Sequence, residues 1–239
     1  MSEINKLKNK YKGKRIFIIG NGPSLKNTDL DLLKDEYTFS MNRISQIFNS
    51  TKWRPYFFQC TTENIKKPEW KIDIDEGISS SKYSFVWDSL DSKYDLKKVI
   101  KIKCNNGSEI SKSAPDSWWS TDPEFGFSKF GTSMLVSLQL SSFMGFNEIY
   151  IVGADLGFKN NLLQRILYRF NIKNFLPDNN HFTKGYGTPG FNSKTLNNNM
   201  LAAHKLAKKK LLKEGIKVYN ATVGGKLEIY ERVDYKTLF

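Results

Sequence analysis

An α/β fold, a Rossmann-like and mostly parallel sheet flanked by helices with a small lid or insertion, is the architecture this sequence predicts. Three observations carry that prediction. Short apolar runs end repeatedly in turns containing glycine or asparagine. Helix-length segments separate the later runs, and strands alternating with helices imply a parallel sheet. A length of 239 residues suits one such domain with an insertion.

Arg15-Ile16-Phe17-Ile18-Ile19 is a short apolar run closed by a glycine turn, and it reads as a buried parallel strand. Thr28 to Leu33 fits a short helix capped by Thr28 or Asp29. Tyr37 to Met41 is a second strand, ending at Asn42 and Arg43, and Tyr56 to Gln59 a third. Tyr83 to Trp87 and Val99 to Lys103 are further strand candidates. No element is assigned between Gln59 and Tyr83. Asn105 to Phe130, rich in Ser, Asp, Pro, Gly and aromatics, reads as irregular. Thr132 to Met144 is a helix started by Gly131 or Thr132 and stopped by Gly145. Glu148 to Val152 is the strand that follows, running into Gly153-Ala154-Asp155. Leu196 to Lys213 is amphipathic: Leu196, Met200, Ala203, Ala207 and Leu211 share one face, Lys205, Lys209 and Lys213 another. Gly215 ends that helix, and Lys217 to Asn220 is the last strand. Residues 1–14 read as a basic lead-in, and 15–239 as a single nucleotide-binding transferase domain with a lid insertion over 158–195.

Hydrophobic residues make up 39% and aromatics 14%, enough for a sizeable core and against global disorder. The formal net charge of +13 suits nucleotides, nucleic acid or an acidic membrane surface, and equally an ordinary solvated lysine surface. No nucleic-acid motif accompanies the charge, so no nucleic-acid partner is expected. Cys60 and Cys104 form no Cys-x-x-Cys pair, which disfavours zinc sites and disulfide scaffolds. With neither a signal peptide nor an apolar spanning run, the expected location is the cytoplasm, with the inner face of the membrane as a peripheral alternative.

The turn Gly20-Asn21-Gly22-Pro23-Ser24 is the sharpest local signal. Its glycines permit close backbone approach to a ligand, its amides favour anions, and Asn21 and Ser24 add short polar side chains. It is neither a Walker A loop nor G-x-G-x-x-G, and an ordinary strand-to-loop turn is the alternative. Asn42 and Asp155 also stand just past strands, where ligands of open α/β sheets bind; both residue types are equally common in plain turns. His181 lies in a polar loop. An unperturbed imidazole titrates at about 6.5 and suits a general base, although an exposed loop histidine reads the same way. His204, inside the lysine-rich helix, reads as surface. Leu162 to Phe175 mixes apolar residues with Arg165, Arg169 and Lys173, and reads as a lid, a membrane-surface patch or a packed helix.

Several of these blocks together resemble bacterial CMP-sialic acid sialyltransferases that decorate lipooligosaccharide. The blocks are Gly20 to Lys26, Thr132-Ser133 with the helix behind it, Gly145 to Tyr150, Gly153-Ala154-Asp155, and Asn180-His181-Phe182. The resemblance implies that Asn42, Thr132 and Ser133 lie near a nucleotide and that His181 is the general base. It also implies that no metal is obligatory. Two places depart from it: Phe130 stands where those enzymes carry an arginine, and Gly157 and Leu163 stand about where they carry phosphate-binding tyrosines. Tyr168 and Tyr186 are candidate substitutes. The chain as a whole, including the closing Tyr219 to Glu228, also resembles the 6-hydroxymethylpterin diphosphokinase (MptE-like) domain family found in surface-polysaccharide settings.

Three functions follow. The first is a glycosyltransferase that moves a sugar from a CMP-activated donor to a surface-glycan acceptor. Gly20, Asn21, Gly22, Pro23, Ser24, Asn42, Thr132, Ser133 and Asp155 would bind the nucleotide, and His181 would act as base, without a metal or other cofactor. The second is a diphosphokinase passing pyrophosphate from ATP and Mg²⁺ to a pterin-like alcohol, with Asp155 and Asp178 as ligand candidates. The third is a non-catalytic nucleotide-binding module.

Overall fold

The computed structural model describes residues 2–89, 99–105, 118–170, 179–186 and 192–239. Its centre is an eight-stranded sheet formed by β1 (Arg15–Ile19), β2 (Thr38–Met41), β3 (Phe57–Cys60), β4 (Tyr83–Trp87), β5 (Val99–Ile102), β8 (Glu148–Val152), β9 (Lys217–Asn220) and β10 (Glu231–Arg232). Two short strands, β6 (Cys104–Asn105) and β7 (Phe127–Ser128), pair separately. The spatial order is β10-β9-β8-β1-β2-β3-β4-β5, and every pairing is parallel.

Parallel strands are buried on both faces, which is why they read as continuous apolar runs. Ile16 and Ile18 of β1 point to one face and Phe17 and Ile19 to the other, as the two-residue period requires. On the first face lie α2 (Met134–Phe143) and α4 (Ser193–Lys213). On the second lie α1 (Pro68–Ser80), several 3-10 turns and Tyr235 of the C-terminal segment. α3 (Leu162–Arg169) stands apart on the loop that follows β8. Among the described residues no helix is long and apolar enough to cross a membrane.

Three expectations need correction. The basic segment 1–14 is more than a lead-in: Ile4, Leu7 and Tyr11 are buried in the first core, and Tyr11 stacks on Phe146 with centroids 5.0 Å apart. α1 falls where no element is assigned from the sequence, and its Trp70, Ile72 and Ile74 are spaced two apart, as in a strand. Helical packing wins by burying Trp70, Ile74 and Ile78, four residues apart, and leaving Ile72 outside. Gly77 belongs to that face, where a Cβ would meet the Phe58 ring at 2.6 Å. His204 is buried rather than at the surface, because it lies four residues from Met200 and three from Ala207 on the core side of α4.

Of the region read as irregular, 106–117 lies outside the described residues, as do 171–178 and 187–191 of the lid insertion and the Asp178 ligand candidate.

Candidate functional site

The chain enters the sheet at β1, proceeds outward to β5, and then returns to β8 on the other side of β1. The switch point therefore lies between β1 and β8, and ligands of such sheets bind outside the strand ends at that point. A cavity of about 550 Å³ opens there. Gly20, Asn21, Gly22, Pro23, Asn42, Thr132, Ser133, Asp155 and His181 all line it. Ser24 does not.

The glycines at 20 and 22 serve a different end from the one expected. The Gly22 backbone is extended, with φ −70°, so its lack of a side chain answers crowding rather than torsion. A Cβ at Gly22 would lie 2.7 Å from the Gly153 carbonyl oxygen and collide with the Asp155 carboxylate; one at Gly20 would lie 2.5 Å from the same carbonyl. The two glycines let the β1 loop lie against the β8 loop. Three of the turn's four amides are engaged in that joint: Gly20 N donates to Val152 O, Gly22 N to Gly153 O, and Ser24 N to Asp155 Oδ2. They are not an open anion nest. The Ser24 hydroxyl also donates to Asp155 Oδ2, at 2.7 Å, so Ser24 orients this carboxylate instead of facing the cavity.

Side-chain amides dominate the other wall. Asn21 Nδ2 donates to Met41 O at 3.0 Å and to the Tyr186 hydroxyl at 3.3 Å. Those acceptors settle which end of the amide is nitrogen and leave the buried Asn21 Oδ1 without a protein donor. Asn42 adopts φ +55°, a left-handed conformation that asparagine tolerates better than most residues. Its Nδ2 lies 3.5 Å from Ser133 Oγ, and its Oδ1 too is buried and lacks a donor. Ser133 stands at the N-cap position of α2 without a side-chain capping bond, Thr132 Oγ1 accepts from Met134 N at 3.3 Å, and the start of the helix, with its partial positive charge, lines the cavity. Gln59, which the sequence reading passed over, holds Ser133 O through Nε2 at 2.9 Å.

His181 is fixed from both sides. Asn180 exchanges two hydrogen bonds with the Lys159 backbone, at 2.8 and 3.0 Å, and Phe182 N donates to Asn21 O at 3.0 Å. The imidazole stacks on Tyr186 with centroids 3.8 Å apart and planes 2° from parallel, and Phe158 meets it edge-on at 5.4 Å. Burial raises the Tyr186 phenol well above its ordinary value, so it stays protonated beneath the ring. Of the two candidate substitute tyrosines, Tyr186 is therefore in the cavity wall; the Tyr168 side chain lies outside the described residues.

Arg43 anchors this loop. Its guanidinium pairs with Asp73 of α1 and donates to the carbonyls of Gly185 (3.1 Å), Tyr186 and Glu69 (3.0 Å). It is buried between the Trp70 and Tyr186 rings.

The second histidine of the chain, His204, also lines the cavity. Its Nδ1 shares a hydrogen bond with the Tyr230 hydroxyl at 3.1 Å, and burial pushes its pKa down to about 4. It is neutral at pH 7 and part of the wall.

The loop after β8 bends sharply, with Leu156 at φ +52° and Gly157 at +94°. Asn197 of α4 holds it through Gly157 N, Phe158 N and Phe158 O. α3 then begins with a reciprocal cap: Asn161 N donates to Gln164 Oε1 at 2.9 Å, and Gln164 N to Asn161 Oδ1 at 2.7 Å. The Asn161-x-x-Gln164 spacing is a local signal that could have marked this helix start.

A family model for 6-hydroxymethylpterin diphosphokinase MptE-like proteins matches residues 1–161. The chain belongs to this MptE-like family. No curated protein sequence matches the chain. Among solved structures, an asparagine-to-alanine variant of the sialyltransferase CST-II in complex with CMP aligns with a TM-score of 0.52 at 18% identity, over 92% of this chain and 86% of that one. The same sialyltransferase with a trisaccharide acceptor and CMP aligns at 0.49 and 16%, with the same coverage. CstII from Campylobacter jejuni with the substrate analogue CMP-3FNeuAc aligns at 0.42 and 15%, over 87% and 79%. At 18% identity, the alignment with the CMP-bound asparagine-to-alanine variant shows that the MptE-like chain shares its fold.

Proposed function

We propose that the cavity binds a CMP-activated sugar and that the protein transfers the sugar to a glycan hydroxyl. The observation that carries this reading is the arrangement of His181, partly exposed on a loop pinned against Asn21, at the same cavity as Asn21, Asn42 and the start of α2. The buried carbonyl oxygens of Asn21 and Asn42 suit a ligand rich in N–H and O–H donors, such as a nucleoside. The partial positive charge at the start of α2, rather than its engaged first amides, suits its phosphate. His181 accepts the acceptor's hydroxyl proton while that oxygen bonds to the anomeric carbon. The bond from that carbon to the phosphate oxygen breaks, and CMP leaves with the electron pair.

The family favours a second reading, pyrophosphate transfer from ATP. That chemistry uses Mg²⁺ to neutralise phosphates. Among the described lining residues Asp155 is the one carboxylate, already bonded to Ser24, and this donor set fits a divalent cation poorly.

A thermal-shift panel of CMP, CTP, UDP, GDP and ATP, with and without Mg²⁺, separates the two. A ligand at about a hundred times its Kd adds about 2.7 kcal/mol. That corresponds to about 5–11 °C for a domain of this size. Cytidine nucleotides are expected to give this shift without metal. A shift with ATP and Mg²⁺ alone overturns the glycosyltransferase reading.

A further inference from the structure

α3 has its amphipathicity reversed. At 100° per residue, Leu162, Ile166, Phe170 and Leu163 occupy one arc of the helix, and Gln164 faces the opposite way. In an ordinary surface helix the apolar arc faces the core. Here Gln164 is 1% exposed and lines the cavity, whereas Leu162 is 72%, Leu163 53%, Ile166 43% and Phe170 68% exposed. Over 162–170, the described part of this segment, the apolar arc is therefore not packed on the core. Of ten large apolar side chains exposed among the described residues, these four fall within nine consecutive positions. Single exposed apolar residues need no explanation, but a contiguous patch does. The reciprocal Asn161–Gln164 cap fixes this rotation, because Gln164 has to turn inward to make it.

Arg165 and Arg169, one turn apart and exposed, border the apolar arc on its Leu162 side. We propose that α3 docks the mouth of the cavity onto an anionic lipid surface. Leu162, Leu163, Ile166 and Phe170 would enter the acyl boundary, and Arg165 and Arg169 would pair with lipid phosphates. Charge complementarity favours this occupant: the two arginines and a net charge of +13 suit an acidic bilayer. Size disfavours a second copy of the chain. Eight residues of helix span about 12 Å, far below the face needed to bury about 800 Å² per partner. Resting on the glycosyltransferase reading, this orientation also implies an acceptor presented at the lipid surface, since Asn161 and Gln164 line the cavity on the inner side of the same helix.

The test is vesicle flotation of the full chain with no donor or acceptor present, so that its outcome is independent of the sugar chemistry. One vesicle is phosphatidylcholine alone; the other contains about three parts phosphatidylglycerol to seven. The wild type is expected to float with the anionic vesicle only, and less at high salt. Leu162→Ser/Leu163→Ser/Phe170→Ser should reduce partitioning by about a hundredfold or more. Arg165→Gln and Arg169→Gln should each reduce it by about fivefold. All five side chains replaced in the serine and glutamine variants are exposed, and unchanged melting temperatures confirm folding. Lys205→Glu/Lys213→Glu on α4, also exposed, should retain most binding. Three results overturn the proposal: no flotation of the wild type, retention by the triple-serine variant with loss in the α4 variant, or dissociation of a wild-type dimer by the triple-serine change.

Discussion

Replacing Arg43 tests whether one buried guanidinium holds the His181 loop in place. Its Nε pairs with Asp73, Nη1 donates to Gly185 and Tyr186, and Nη2 donates to Glu69. The Arg43 side chain is 8% and the Asp73 side chain 15% exposed, so solvent can replace little of this in Arg43→Ala. Breaking a buried pair from one side costs about 3–5 kcal/mol, because the remaining charge and carbonyls lose their partner. Gln46 Nε2, which also donates to Asp73 at 2.8 Å, places the effect toward the lower figure. At 239 residues that corresponds to a fall in Tm of about 6–12 °C. Arg43→Lys keeps the charge but reaches fewer of four acceptors that lie in different directions, so it should recover only part of the loss. Hydrogen exchange is the second assay. The amide of Phe182, bonded to Asn21 O, should lose protection in both variants, while amides of the central strand β1 keep theirs. A Tm within about 2 °C of wild type together with unchanged Phe182 protection would refute the reasoning.

Gly22→Ala should destabilise by about 1–3 kcal/mol in urea unfolding, because its Cβ meets Gly153 O and the Asp155 carboxylate; an unchanged midpoint would mean that the two loops can part freely. Ser24→Ala should cost about 1.5–3 kcal/mol through the lost bond to Asp155, and should leave cytidine affinity near wild type, since Ser24 lies outside the cavity lining. Loss of affinity without loss of stability would place Ser24 on the ligand instead. Asn42→Gly keeps the left-handed backbone accessible and removes only the side chain, so it should weaken CMP binding by about three- to tenfold in calorimetry; equal affinity would remove Asn42 from the pocket.

What the sequence made legible and what it hid divide along a physical line. β1, β2 and β8 were visible because parallel strands buried on both faces need unbroken apolar runs, and the turns behind them need small or polar residues. α1 was hidden because its apolar spacing satisfied the strand period before the helical one, and tertiary packing on Phe58 decided between them. Gly20 and Gly22 drew attention as residues able to approach a ligand, yet their neighbour is Gly153, which lies 131 residues along the chain from Gly22. Ser24 and Asp155, equally far apart in sequence, are bonded to one another, and no local pattern announces such a pair. Arg43 was passed over for a related reason. Three of its acceptors are backbone carbonyls, which any residue supplies.

His204 turns the same lesson into a measurable pH dependence. The lysines around it suggested a solvated helix, but its own position on the Met200–Ala207 side places it against Tyr230, and burial pushes its pKa down to about 4. An unfolded histidine titrates near 6.5. Between those values the unfolded chain binds the proton and the folded chain does not, so acid favours unfolding. The stabilisation is intact above about pH 6.5 and is lost as pH falls toward about 4, by about 3 kcal/mol in all. Asp31 and Glu228, whose carboxyls are held below their usual range by Thr51 and Arg232, lose stabilisation in acid as well, so the wild-type curve alone does not isolate the histidine. The comparison with His204→Asn does, because that side chain offers a polar atom to Tyr230 but takes up no proton. The difference between the two unfolding curves should shrink by about 3 kcal/mol from pH 7 to pH 4. Parallel curves would show that solvent reaches the imidazole in the folded state. The same experiment bears on catalysis. A histidine that stays neutral from about pH 5 to 8 cannot produce a rate limb there, so any limb in that window should survive His204→Asn, whereas His181→Ala should lower kcat by about a hundredfold or more. A limb that vanishes with His204→Asn, together with near-wild-type kcat in His181→Ala, would exchange the two histidines between wall and reaction.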